Sequence, residues 1–175
     1  MTFNPKKDKY ISLIDELQQL SNDFKSSPND DLDDRRSSRA YEIMCLLSVE
    51  LRSKNDEIGR GVDTPKFCFI VENATESDQD TAIRLKMLDR TDGSLVIRDL
   101  KHALDKITHK HPGDPAFQRC TYRLDSNNHY LIFVGEHRGK VSKRWICEFD
   151  VSDFCKAARA FVGAAWPDRP AVSHH

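Results

Sequence analysis

Asp80, Asp99 and Lys101 are the residues whose types and spacing most directly suggest bond-breaking chemistry. In Asp80-Thr81-Ala82-Ile83-Arg84-Leu85-Lys86-Met87-Leu88 an acid stands just before an alternating apolar run. Thr91-Asp92-Gly93 then supplies a turn, and Leu95-Val96-Ile97-Arg98 leads back to Asp99-Leu100-Lys101. Alternation broken by a turn predicts a β-hairpin. Such a hairpin would bring an acid at the start of one strand beside an acid-x-lysine at the end of the other. Two carboxylates there could hold Mg²⁺ through oxygen, and the lysine could orient a water against a phosphodiester.

This order of residues resembles the motif of the PD-(D/E)xK nuclease superfamily. The surrounding elements, read as helix, strand, hairpin, helix and strand, are compatible with that family's core. The resemblance covers about twenty residues and implies a Mg²⁺-dependent nuclease acting on DNA or RNA. It is incomplete, because Gln79 stands where the motif carries proline. The same residues also have a purely structural use. Asp99 is placed to cap a helix beginning at Leu100, Lys101 would face solvent in its first turn, and Glu76, Asp78 and Asp80 are ordinary loop acids.

A second group is His102, His109 and His111 with Asp114. His-x-His can place two imidazoles on one metal, with a carboxylate as third ligand. The alternative is the basic end of a helix, where histidine and lysine suit the negative pole. A third group is the polar turn before Trp145, which carries His137, Arg138, Lys140, Lys143 and Arg144. Cations on a projecting turn grip phosphates or an acidic protein surface. Trp145 alternates in phase with Cys147 and Phe149, which places the indole in the core rather than on a nucleic-acid base.

Other catalytic patterns are absent. There is no glycine-rich phosphate loop, no Gly-x-Ser-x-Gly elbow and no dinucleotide fingerprint. The net charge of −1 gives no long-range attraction to nucleic acid or anionic membrane, so a charged partner must be met by a local patch. No apolar run approaches bilayer length, and the N-terminus lacks a signal-peptide core, which points to a cytoplasmic protein. Cys45, Cys68, Cys120, Cys147 and Cys155 are odd in number and without Cys-x-x-Cys spacing. They are expected to be buried thiols in a reducing compartment. His174-His175 resembles a tag remnant.

These groups must be positioned by elements that the hydrophobic periodicity outlines. Tyr10, Leu13, Ile14, Leu17, Leu20 and Phe24 recur at helical spacing, as an amphipathic helix requires. Ser26-Ser27-Pro28-Asn29 stops it. A second helix is expected from about Asp34 to Ile58, dense enough in apolar residues to be covered on more than one side, and closed by Gly59 and Gly61. Three strands follow, over Phe67–Val71, Ile83–Leu88 and Leu95–Ile97. A short helix over 100–107 comes next, then strands at 120–124, 130–134 and 145–151, and a last helix from Phe154 to Ala165.

The expected architecture is a single α+β domain. It has a largely antiparallel sheet of five or six strands, helices on one face and two N-terminal helices in front. Residues 1–27 form the amphipathic helix, which could act as a mobile or self-associating arm. Residues 33–168 form the α+β domain and 169–175 a disordered tail. The function expected is that of a small intracellular, non-catalytic binding protein (an adaptor, inhibitor or regulator) acting on a macromolecular partner. Arg138, Lys140, Lys143 and Arg144 are its binding residues, and it needs no cofactor. Its alternatives are the Mg²⁺-dependent nuclease using Asp80, Asp99 and Lys101, and a nucleic-acid-binding module using the basic hairpin 137–144. Homo-oligomerisation through the first helix is a further expectation.

Overall fold

The computed structural model describes residues 4–26, 30–59, 61–109, 120–125, 127–137 and 143–168, with the side chains of 30–34, 120 and 121 also left out. The order is α1 (Pro5–Ser26), α2 (Asp30–Ile58), β1 (Cys68–Ala74), α3 (Glu76–Leu85), β2 (Leu95–Arg98), α4 (Leu100–His109), β3 (Cys120–Leu124), β4 (His129–His137), β5 (Lys143–Asp150) and α5 (Val151–Ala165). The chain is an α+β domain with one five-stranded antiparallel sheet, ordered β2-β1-β5-β4-β3.

Strand alternation divides the apolar residues between two faces. Cys68 and Ile70 of β1, Phe133 of β4 and Trp145, Cys147 and Phe149 of β5 point to the face packed by α1, α2, α4 and α5. Val71, Ile132, Val134 and Ile146 point to the other face, where they meet Ala82 of α3 and Leu88. Helices therefore cover both faces, not one, although four of the five share a side.

α1 is part of the main core: Tyr10, Ile14 and Leu17 are buried in it, and Leu13 and Leu20 pack against it half-buried. α2 buries Ile43, Met44, Leu47 and Leu51 at spacings of one, three and four, while Leu46 and Val49 are exposed. The second helix is thus covered on one side only; its extra apolar residues face water. It closes at Gly59, whose φ of 65° lies in the left-handed region that glycine enters without steric cost.

The expected hairpin over residues 83–97 is not formed. Residues 76–85 are helix α3, and β2 pairs with β1 instead, Phe69 opposite Ile97 and Val71 opposite Leu95. The physical reason lies at its start. Thr75 accepts from the Asp78 backbone N–H while the Asp78 carboxylate accepts from the Thr75 N–H, a reciprocal cap that satisfies two orphan donors. The alternation of Ile83, Leu85 and Met87 is not matched by burial, since Leu85 and Met87 are exposed.

Candidate functional site

Asp99, Lys101 and Asp80 are not brought together. Asp99 stands at the head of α4, where its carboxylate is 3.4 Å from the His102 backbone N and 2.7 Å from His102 Nδ1. Lys101 is exposed in the first turn of that helix. Asp80 is exposed on α3, which packs against the opposite face of the sheet from α4. With no hairpin and the sheet between them, these residues have no common place for a Mg²⁺ ion.

The histidines whose spacing could have suited a metal are also separated. His102 bonds Asp99, and His109, seven residues further along α4, meets Arg52 at 2.9 Å and Asp105 at 3.4 Å. His111 and Asp114 lie outside the described residues. Among the described residues no group of three His, Cys, Asp or Glu side chains could share a metal ion. Likewise, no described helix is long and apolar enough to cross a membrane.

Of the basic hairpin, Arg138 and Lys140 lie outside the described residues. Its frame is in place: β4 and β5 pair from Tyr130 opposite Asp150 to His137 opposite Lys143. Lys143 is exposed at the root of the turn, and Arg144 is 3.2 Å from Glu76 of α3. Trp145 is 1% exposed and faces the main core, so it offers no stacking surface. Its ring lies directly over Gly135, where any Cβ would collide with it.

The residues that do converge come from α1, α2 and the β3–β4 end of the sheet. They line an open cavity of about 230 Å³ whose walls include Leu17 and Phe24 of α1, Ala40 and Met44 of α2, and Leu131 and Phe133 of β4. Helical spacing puts Leu17, Ser21 and Phe24 on one stripe of α1, and strand alternation puts His129, Leu131 and Phe133 on one face of β4. The wall is mainly apolar, and its polar members include Ser21, Arg36, Ser37 and His129.

His129 is held on several sides. Phe24 stacks on its ring at 4.9 Å and 7°, and Tyr122 meets it edge-on at 6.0 Å. Its backbone N–H donates to Asp150, the residue that caps α5 by accepting from Ser152 and Asp153. Its Nδ1 lies 3.0 Å from Ser21 Oγ. Burial among these rings, helped by the Lys25 ammonium, pulls its pKa down to about 4, so the imidazole is neutral at pH 7. Neutral imidazole has one donor and one acceptor nitrogen. Since Nδ1 is engaged with Ser21, the Nε2, which has no hydrogen bond among the described residues, is a polar group left for a ligand.

Sequence reasoning missed this site. His129 followed a turn and Ser21 sat inside a helix, 108 residues away. The only local signal was that Ser21 falls on the same helical stripe as Leu17 and Phe24, a polar residue at a core position.

The thiols expected to be buried behave largely so. Cys68, Cys147 and Cys155 are buried as thiols and Cys45 is half-buried, while the Cys120 side chain lies outside the described residues. Burial pushes Cys147 well above the usual thiol range and Cys155 up to about 12, which suppresses thiolate chemistry. The 3.1 Å contact between Cys68 and Cys147 Sγ atoms was invisible in their spacing.

No family model, curated protein or solved structure matches this chain. Its functional reading therefore stands on its own geometry.

Proposed function

We propose that this chain is an intracellular, non-catalytic binding protein whose ligand is a small, mainly apolar molecule carrying one hydrogen-bonding group. The observation that carries this reading is the apolar cavity with the neutral imidazole of His129 on its wall. A concave, mainly apolar surface with few polar groups is the common form of a small-molecule site. At about 230 Å³ the cavity suits a ligand of one or two fused rings. The rings of Phe24 and Tyr122 supply aromatic contact, and His129 Nε2 supplies direction.

A test is titration with 2-naphthol, an uncharged bicycle with a single hydroxyl, followed by its fluorescence. Saturable binding is expected for the unaltered protein. Ala40→Phe places a ring in the cavity from the α2 side and should abolish binding while the circular dichroism is unchanged. Binding that does not saturate, or that survives Ala40→Phe, ends this reading.

The exposed Lys143 at the root of the β4–β5 hairpin favours a second reading, docking of an acidic protein surface on that turn. Reversal of Arg138, Lys140, Lys143 and Arg144 to glutamate is then expected to leave folding intact. It should also remove salt-sensitive binding to a polyglutamate probe. Equal binding by both proteins would place the interaction elsewhere.

A further inference from the structure

At the opposite end of β4 from His129, a lysine lies in surroundings unlike those of the chain's surface lysines. Lys106 of α4 is 5% exposed, and its stem is buried with Ala103 and Ile107. Its Nζ is 2.9 Å from Nε2 of the exposed His137 and 4.7 Å from the centroid of the Trp145 ring. Among the described residues no carboxylate is in ion-pair contact with it. An ammonium and an imidazolium cannot both persist at such a distance, so at most one of the two nitrogens carries the extra proton. The hydrogen bond itself requires one nitrogen to offer a lone pair. A third feature is the Trp145 Nε1–H, which is buried with no hydrogen-bond partner. A buried donor without an acceptor is costly, and it marks a place where an oxygen would be welcome.

We propose that Lys106 is a nucleophilic amine that forms an imine with an aldehyde, with His137 relaying the proton and the Trp145 N–H available to the aldehyde oxygen. The nitrogen lone pair attacks the carbonyl carbon, and the C=O π pair moves to oxygen, which is protonated. His137 Nε2 takes the proton from the new C–N⁺ centre to leave a carbinolamine. The His137 imidazolium returns its proton to the hydroxyl, which departs as water while the nitrogen lone pair forms C=N⁺. The iminium N–H proton goes back to the solvent water that had protonated the alkoxide, so one amine and one aldehyde give one imine and one water. Desolvation of an amine beside a second basic group is a recognised route to a reactive lysine.

Electrostatics agree with the geometry. Burial lowers the Lys106 pKa, opposed by the more weakly acting Asp105, Cys147, Glu72 and Cys68. His137 is also lowered, by burial and by Lys106, with His109 acting in the same sense and Asp105 and Glu72 against it. Both shifts favour the pair sharing a proton over each holding its own.

The experiment is competition among the lysines of the intact protein. It is treated with limiting propanal and cyanoborohydride at pH 7, and the propylated lysines are mapped by peptide mass. Lys106 is expected to be modified several-fold faster than the exposed Lys101 and Lys143, with the advantage shrinking as the pH approaches 10 and the surface amines deprotonate. His137→Gln should slow Lys106 while leaving Lys101 unchanged. A Lys106 rate equal to or below that of Lys101 at pH 7 overturns the proposal. A Lys106 rate indifferent to His137→Gln overturns the proton relay. Naphthol binding in the distant cavity is independent of either result.

Discussion

On one face of the sheet Phe133, Trp145, Cys147 and Phe149 meet four helices, while on the other Ile132, Val134 and Ile146 meet one helix of ten residues and the segment that follows it. The first face is held by area. Phe149 alone stacks on Phe133 at 5.6 Å and on Phe154 at 5.4 Å. The second has little area to offer, and directional bonds take its place. Gln79 of α3, 3% exposed, donates to the carbonyls of Gly135 and Trp145 at 2.8 and 3.0 Å. Glu148, fully buried in the middle of β5, accepts from the Leu88 backbone N–H at 3.0 Å, pairs with Arg90 and lies 3.5 Å from Arg123. The two guanidiniums in turn lie over Phe69 and Tyr130. Apolar burial is tolerant of detail, whereas a buried carboxylate stabilises only one arrangement of its donors.

The strongest way to break this contrast is Glu148→Ala. It leaves the Leu88 N–H and the Arg90 guanidinium without their buried acceptor, and loss of one partner of such a pair costs about 3–5 kcal/mol. Phe149→Ala on the other face is expected to cost a similar ~3–5 kcal/mol by leaving a cavity. Urea unfolding of the two variants compares them directly. If Glu148→Ala is nearly silent, the second face is not held by its polar bonds.

The next effect distinguishes the faces by pH. His129 has an ordinary pKa of 6.5 that falls to about 4 in the folded protein. Below 6.5 the unfolded chain therefore takes up a proton that the folded one refuses. Its contribution is present above pH 6.5 and lost as the pH falls toward 4, by up to about 3 kcal/mol. A His129→Phe variant should lose less stability than the unaltered protein over that window, measured by urea midpoints at pH 7 and pH 4.5. Parallel losses would mean that His129 does not titrate as its burial dictates.

A smaller effect is expected of Gln79→Ala, about 1–3 kcal/mol for two carbonyls left without their donor. Hydrogen exchange sharpens the comparison, because the amides of α3 should exchange faster while those of α5 keep their protection. Uniform acceleration would show that α3 is not an independently tethered element. Smallest of all, Asp99→Ala should cost about 1 kcal/mol as the loss of a helix cap. Incubated with Mg²⁺ and single- or double-stranded DNA, neither protein is expected to cleave; cleavage abolished by Asp99→Ala would restore the catalytic role that the geometry withholds.

What the sequence determined by itself was carried by period and by caps. The stripe of Tyr10, Ile14, Leu17 and Phe24, the two-residue alternation of Trp145, Cys147 and Phe149, and Asp99 before Leu100 each specify local structure through neighbours a few residues away. These are enough for an α+β domain with an antiparallel sheet. Residues 76–88 show where that reasoning stops. Ile83, Leu85 and Met87 alternate as a strand does, yet the Thr75–Asp78 cap and the anchoring of Gln79 to the sheet select a helix. The same holds for function. Neither the pairing of Ser21 with His129 nor that of Lys106 with His137 has any trace in spacing, because each joins elements distant in the chain. Desolvation by the assembled rings and helices, which shifts the chemistry of His129 and Lys106, exists only once the chain has packed.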